Sequence, residues 1–98
     1  MLIVANNPIS TVKSMNAGDM AIVEFKDFKK FRSFTVQLSD YNTIYGREKN
    51  IYIHAASNKR KMQYCLVATT ADEREAELVD YNLKGSWKKR IPAEWWKV

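Results

Sequence analysis

From Phe28 to Tyr45 apolar positions recur at spacings of three and four. Phe28, Phe31, Phe34, Leu38, Tyr41 and Tyr45 fall on one stripe if the segment is helical. Asp27 is placed to cap the start and Gly46 to end it, which predicts one long helix over 27–45. Inside it, Ser33-Phe-Thr-Val-Gln-Leu38 alternates strictly and carries β-branched residues, so a strand is the competing reading of 33–38. Six matches over eighteen residues outweigh three over six, and the helix is preferred.

Two-residue alternation governs Asn50–Ala55 and Lys61–Thr69, and the turn chemistry of Ser57-Asn58-Lys59-Arg60 joins them into a hairpin over 50–69. If Ser57 pairs with Arg60, Ile53 faces Tyr64, His54 faces Gln63 and Tyr52 faces Cys65. One face then holds Ile51, Ile53, Ala55, Met62, Tyr64 and Leu66 and points to the core. The other holds Tyr52, His54, Lys61, Gln63 and Cys65 and is expected to be wetter. Met20–Phe25 reads as a further strand, with Ile22 and Val23 at its centre. Ile9, Val12 and Met15 allow one or two helical turns after the turn signal Asn6-Asn7-Pro8. Thr70 with Glu73 forms a capping-box signature ahead of a second, acidic helix over 71–82.

These elements predict a compact α+β domain: an antiparallel sheet of about three strands against one long helix, with the second helix after the hairpin. A chain of 98 residues supports one core, and its 46% hydrophobic and 12% aromatic content is that of a folded protein. The domain is expected over 1–83. Residues 84–98 form a basic tail with all three tryptophans and five cations, and Pro92 keeps it out of a central strand. Trp87 is the expected anchor of that tail. Trp95 and Trp96 are expected to stay available to a partner or to a second copy of the chain, as in a homodimer.

Charge is unevenly spread over the net +5: residues 1–70 carry ten cations against five anions, 71–83 one against five, and 84–98 five against one. Such a balance points to nucleic acid or an acidic protein surface as partner. The start Met1-Leu-Ile-Val-Ala is too short and lacks the cations of a leader, and no run is long enough to span a membrane, so no membrane partner is expected. Cys65 is the single cysteine, which excludes an internal disulfide and leaves a zinc site without a second soft ligand. A reducing, cytoplasmic setting fits.

Little of the sequence points to chemistry. Cys65 and His54 share a hairpin face a diagonal apart but lack an orienting group and an enclosure. Asp72, Glu73, Glu75, Glu77 and Asp80 sit at helical spacing and radiate outward, and Gly18, Gly46 and Gly85 are isolated, so neither a metal site nor a phosphate loop is expected. No cofactor and no catalytic activity are expected.

The remaining constellation is cationic. Lys26, Lys29, Lys30 and Arg32 crowd the start of the long helix, Arg47 and Lys49 follow its end, and Lys59, Arg60 and Lys61 occupy the hairpin tip. Tyr52 and His54 are candidate stacking and phosphate contacts on the outer hairpin face. This arrangement resembles, in layout only, small phage-type or repressor-type DNA-binding modules in which a ribbon or helix enters a groove. The expected function is a small, non-catalytic nucleic-acid-binding protein, DNA before RNA, holding phosphates at the helix start and hairpin tip. The alternative is a phage-type regulator or inhibitor that docks on a host enzyme or complex through Trp87, Lys88, Lys89, Arg90, Trp95 and Trp96.

Overall fold

The computed structural model describes the backbone of residues 4–5 and 8–96 and the side chains of residues 8–46 and 48–96. The turn expected at Asn6-Asn7 and the side chain of Arg47 lie outside the described residues. Elements follow in the order β1 (Val4–Ala5), α1 (Pro8–Ser14), β2 (Met20–Glu24), α2 (Phe28–Lys49), β3 (Tyr52–Asn58), β4 (Gln63–Thr69) and α3 (Ala71–Val79). Two 3-10 turns, Tyr81–Leu83 and Ser86–Arg90, lead to α4 (Ala93–Trp96). The sheet order is β1-β2-β4-β3. Its three main strands pair antiparallel, and β1 adds a two-residue parallel pairing on β2, with α1 as the crossover that parallel strands require.

The segment 33–38 is helical. Phe31, Phe34, Leu38 and Tyr41 bury the stripe of α2 against Val23, Ile53, Tyr64, Leu66 and Ala68 of the sheet, with Val12 of α1 and Met15 just after it closing the side. A strand would have sent Phe34 and Val36 to the same face; in the helix Phe34 is buried and Val36 stands in water. Asp27 caps α2, its carboxylate accepting from the Lys29 N–H at 2.8 Å. Gly46 does not end it. The helix runs on to Lys49, and Asn50 takes the left-handed conformation (φ 50°) while the Ile51 N–H donates to the Gly46 carbonyl at 3.0 Å. That bond and that φ make a Schellman ending in which asparagine does the work usually given to glycine. Gly46 is instead needed for room: a Cβ there would sit 3.2 Å from the Ile51 carbonyl oxygen.

The hairpin forms in a register different from the expected one. Ile53 faces Ala68, His54 faces Val67 and Tyr52 faces Thr69, a slide of four residues along β4. A two-residue turn at Asn58-Lys59 demands positive φ at both positions, which lysine resists. The chain makes a four-residue loop, Lys59–Met62, closed by a bond from the Met62 N–H to the Lys59 carbonyl, with Met62 at φ 52°. Because the slide is even, the two faces keep their membership. Ile53, Tyr64 and Leu66 point to α2 as the alternation requires.

The second face is not wet. Ile91 and Trp95 close over Ile22, Ala56, Cys65 and Val67, with Met20 and Trp87 at the margin, so the segment after residue 83 packs as a cover on the sheet. Trp95 is only 5% exposed, against the expectation that it stays free; its indole N–H donates to Gln63 Oε1 at 3.1 Å, and its carbonyl accepts from Asn58 Nδ2 and Lys61 Nζ. Trp96 remains 44% exposed. Directly after β4, α3 has its capping box, Thr70 Oγ1 accepting from the Glu73 N–H and Glu73 Oε2 from the Thr70 N–H. The helix stops at Val79, earlier than expected, where the Asp80 side chain accepts from the Asn82 N–H and starts the 3-10 turn.

Candidate nucleic-acid interface

The cations of the α2 start and those of the hairpin tip are 27 to 35 residues apart in sequence, and the sheet brings them to one end of the molecule. In the β2–β4 ladder Glu24 faces Gln63, and immediately beyond it the Phe25 N–H donates to the Met62 carbonyl at 2.9 Å. The chain that leaves β2 toward Lys26 and Asp27 therefore runs beside the Lys59–Met62 loop. Tyr64, one residue into β4, ties down α2 by donating its hydroxyl to the Phe31 carbonyl at 2.8 Å, and its ring stacks on Phe31 at 4.7 Å. Lys26, Lys29, Lys30, Arg32, Lys59, Arg60 and Lys61 thus share one end, where the nearby carboxylates on the same segments are Glu24 and Asp27. Glu24 is hydrogen-bonded to Gln63 and Asp27 to the helix start, and neither forms an ion pair with a lysine. Among the described residues the one ion pair is Arg90 with Glu73, far from this end. The first turn of α2 contains no acidic residue, so the positive end of its dipole adds to the same field.

Two exposed aromatic rings flank the tip. Phe28 is 50% exposed, stacked on Phe31 at 6.0 Å, with the Arg32 guanidinium 6.0 Å over its ring. Its place on the apolar stripe suggests core, yet as the first residue of α2 it overhangs the sheet. The run of cations around it, Lys26, Lys29 and Lys30, was the available signal. On the opposite face Trp96 stands edge-on to the buried Trp95 at 5.0 Å, and the hydrogen bonds of the Trp95 carbonyl to Asn58 and Lys61 hold it beside the tip.

The other residues expected at the interface lie elsewhere. Lys49 is at the far end of α2, about 30 Å along the helix from Lys29 at 1.5 Å per residue. Its ammonium sits over the Tyr41 and Tyr45 rings and donates to the Tyr41 hydroxyl at 3.4 Å. Position 47 belongs to the same end. Tyr52 and His54 also lie away from the tip, in a stack that holds the tail. The Arg74 guanidinium lies 4.2 Å over Tyr52, Tyr52 meets His54 edge-on at 4.8 Å, His54 stacks on Trp87 at 4.7 Å, and Lys88 lies 5.7 Å over Trp87. His54 is buried rather than exposed, with Nε2 3.0 Å from Thr69 Oγ1. Burial lowers its pKa to about 4, the Arg74 and Arg90 charges pushing the same way and Glu77 and Glu73 opposing them. Lys88, Lys89 and Arg90 sit on the 3-10 turn beside this stack, with Arg90 paired to Glu73.

Cys65 is fully buried under the tail, and burial pushes its thiol up to about 11, so it is protonated at neutral pH. The carboxylates of α3 do not converge, and no group of three metal-ligating side chains occurs among the described residues. No helix among the described residues is long and apolar enough to cross a membrane. The chain matches no known family model, no curated protein and no solved structure.

Proposed function

We propose that the protein is a non-catalytic nucleic-acid-binding module that grips phosphates with the cationic end of its sheet. The single observation supporting this reading is the convergence of Lys26, Lys29, Lys30 and Arg32 with Lys59, Arg60 and Lys61, without an ion pair among them. Structural cations are normally spread or paired, and seven gathered on one end lose stability to mutual repulsion unless a polyanion relieves it. Phe28 and Trp96 supply flat faces on either side of the tip on which bases stack.

Fluorescence anisotropy with labelled DNA and RNA oligonucleotides, repeated over a salt series, tests the proposal. Affinity for duplex is expected to fall linearly on a log–log plot with a slope of roughly −4 to −6, and replacing Lys59, Arg60 and Lys61 by Gln should flatten it by about 2–3. DNA is the expected preference. Absence of binding at low salt, or a slope untouched by the triple substitution, overturns the assignment.

One observation favours a second reading, a small phage-type regulator or inhibitor that docks on a host protein. Val79 and Tyr81, 86% and 85% exposed, stand with Leu78 in an apolar strip at the end of α3, and α3 buries none of its residues. Such a strip costs solubility unless a partner covers it. Under this reading a salt-insensitive complex forms, and Val79→Glu with Tyr81→Glu abolishes it while leaving the oligonucleotide slope unchanged.

A further inference from the structure

The outer edge of β3 presents hydrogen-bonding groups that divide into a closed half and an open half. β3 is the outer strand. Its N-terminal half is closed by α2: the Ile51 N–H donates to the Gly46 carbonyl, and the Asn42 side chain grips Ile53 from outside. Asn42 Oδ1 accepts from the Ile53 N–H at 2.9 Å, and Asn42 Nδ2 donates to the Ile53 carbonyl at 3.0 Å. This amide imitates one rung of a neighbouring strand. It also fixes the phase of β3: the backbone groups of Ile53 point away from β4, so two-residue periodicity points those of Ala55 and Ser57 the same way. Those four groups find no partner among the described residues.

A cleft of about 260 Å³ lies beside residues 52–55 and meets the open half of the edge at Ala55, walled by Thr35, Leu38 and Ser39 of α2 on one side and by Trp87 on the other. A strand laid there would point alternate side chains at Leu38 and at Trp87, both of them apolar contacts. The open half carries no protection of its own: Ala55, Ala56 and Ser57 are small and uncharged, and no proline or bulge interrupts them.

We propose that the free edge of β3 is a docking site for an extended acidic peptide segment, which adds to the sheet as a strand beside Ala55 and Ser57. Extension is dictated by the outward N–H and C=O groups, which only another strand satisfies in sequence. Acidity follows from the charges at the two ends of the edge. Lys59 and Arg60 stand where β3 enters the tip, and Arg74, Lys84 and Lys88 line the cleft around Tyr52 at the other end. The carboxylates there are Glu75 and Glu77, and Glu77 is engaged by the Ser86 hydroxyl at 2.6 Å. The same charges disfavour a second copy, because an antiparallel β3–β3 pairing centred on Ala56 brings the cationic tip of each chain onto the cations at the opposite end of its partner. The site borders the oligonucleotide interface and shares Lys59 and Arg60 with it, but the edge is read from the Ala55 and Ser57 amides and the interface from the salt slope, so failure of one is distinguishable from failure of the other.

The probe is an acetylated, amidated peptide of eight residues alternating valine and glutamate, titrated into the full chain and followed by backbone NMR. Saturable binding is expected, with the largest shifts at the amides of Ala55 and Ser57 and a change at the Trp87 indole. The same peptide with lysine in place of glutamate should bind at least tenfold more weakly. Ser57→Pro removes one outward donor without touching the β3–β4 ladder, since proline is tolerated where the N–H faces away from the sheet; it should weaken binding roughly fivefold to tenfold with little change in melting temperature. Should that variant fold poorly, the peptide N-methylated at alternate residues poses the same question against the wild-type chain and should lose binding in only one of its two methylation patterns. The proposal is overturned by equal binding of the lysine peptide, by indifference to both methylation patterns, or by shifts confined to other residues. It is also overturned by concentration-dependent shifts at Ala55 and Ser57 in the peptide-free protein, which would make a second copy the occupant.

Discussion

The two faces of the central sheet are made by the same alternating strands and are covered in opposite ways. Under α2, a single helix of 22 residues lays Phe31, Phe34, Leu38 and Tyr41 onto the sheet, and the aromatic rings of Phe25, Phe31, Phe34 and Tyr64 interlock at 4.7–6.0 Å. On the reverse face an irregular segment of 3-10 turns, one proline and a single helical turn sets down Ile91 and Trp95, with Trp87 stacked on His54 at the margin. The first cover is held by repetition, the second by a few large anchors. Loss of one side chain therefore has different consequences: α2 keeps its remaining knobs, whereas the tail loses its registration.

Phe34→Ala is expected to give the largest effect, because Phe34 is fully buried at the centre of the larger core. The loss is about 4–5 kcal/mol, a large part of what a domain of this size has, and chemical denaturation should record it as a shift of the midpoint without a change of slope. Trp95→Ala follows at about 3 kcal/mol, the smaller core around it collapsing more easily. The diagnostic outcome is regional: in hydrogen exchange the Phe34 variant should lose protection throughout, while the Trp95 variant loses it first on the tail and the hairpin tip. Deleting 93–98 should reproduce the Trp95 effect. A deletion that melts like the wild type would make the tail an appendage and erase the contrast between the faces.

How much of this was legible in the sequence follows the same division. The α2 stripe, the capping box at Thr70–Glu73 and the hairpin faces could be read because each has a period or a short-range partner, and the faces survived a four-residue error in register because the error was even. The tail has neither. Nothing in Trp87-Lys-Lys-Arg-Ile-Pro-Ala-Glu-Trp95 says which tryptophan turns inward, since that depends on Gln63 and Asn58, more than thirty residues away, receiving its indole and its carbonyl. The Asn42 clamp on Ile53 was equally silent, a polar residue on a helix whose partner is a backbone eleven residues on. The cations of the interface were visible as clusters. Their convergence needed the β2–β4 pairing, and the separation of Arg47 and Lys49 from them needed only the length of α2.

Acid sharpens the contrast further, because the one histidine lies under the tail and the α2 face has none. His54 is held neutral by burial, with a folded pKa of about 4 against an ordinary 6.5. The unfolded chain takes up a proton first, so this contribution to stability is complete above about pH 6.5, falls as the pH drops, and is gone below about 4. Allowing for solvent screening at a group on the margin of the fold, the loss is about 1–2 kcal/mol. A melting series from pH 7.5 to 4 should show it, and His54→Asn should remove that step while lowering stability at neutral pH. If the wild-type and His54→Asn curves run parallel, the His54–Trp87 stack is not what the acid disturbs.

The smallest expected effects are at the hairpin tip, where the contrast between the faces becomes a contrast between adjacent residues. Lys59 and Arg60 are exposed and touch neither core, so Lys59→Gln and Arg60→Gln should change stability by less than about 0.5 kcal/mol. Lys61 differs: it is half-buried, and its ammonium donates to the Trp95 carbonyl at 3.3 Å. Lys61→Gln should therefore cost about 0.5–1 kcal/mol, the net worth of one hydrogen bond near the surface. Combined with Trp95→Ala it should cost less than the sum of the two, because the tail that Lys61 holds is already loosened. All three substitutions should weaken oligonucleotide binding by similar factors, since each removes one phosphate contact. A double-mutant cycle by urea denaturation, with oligonucleotide affinity measured alongside, separates the roles: strict additivity of Lys61→Gln and Trp95→Ala would mean that the tip lysine serves the ligand alone and that the tail is held without it.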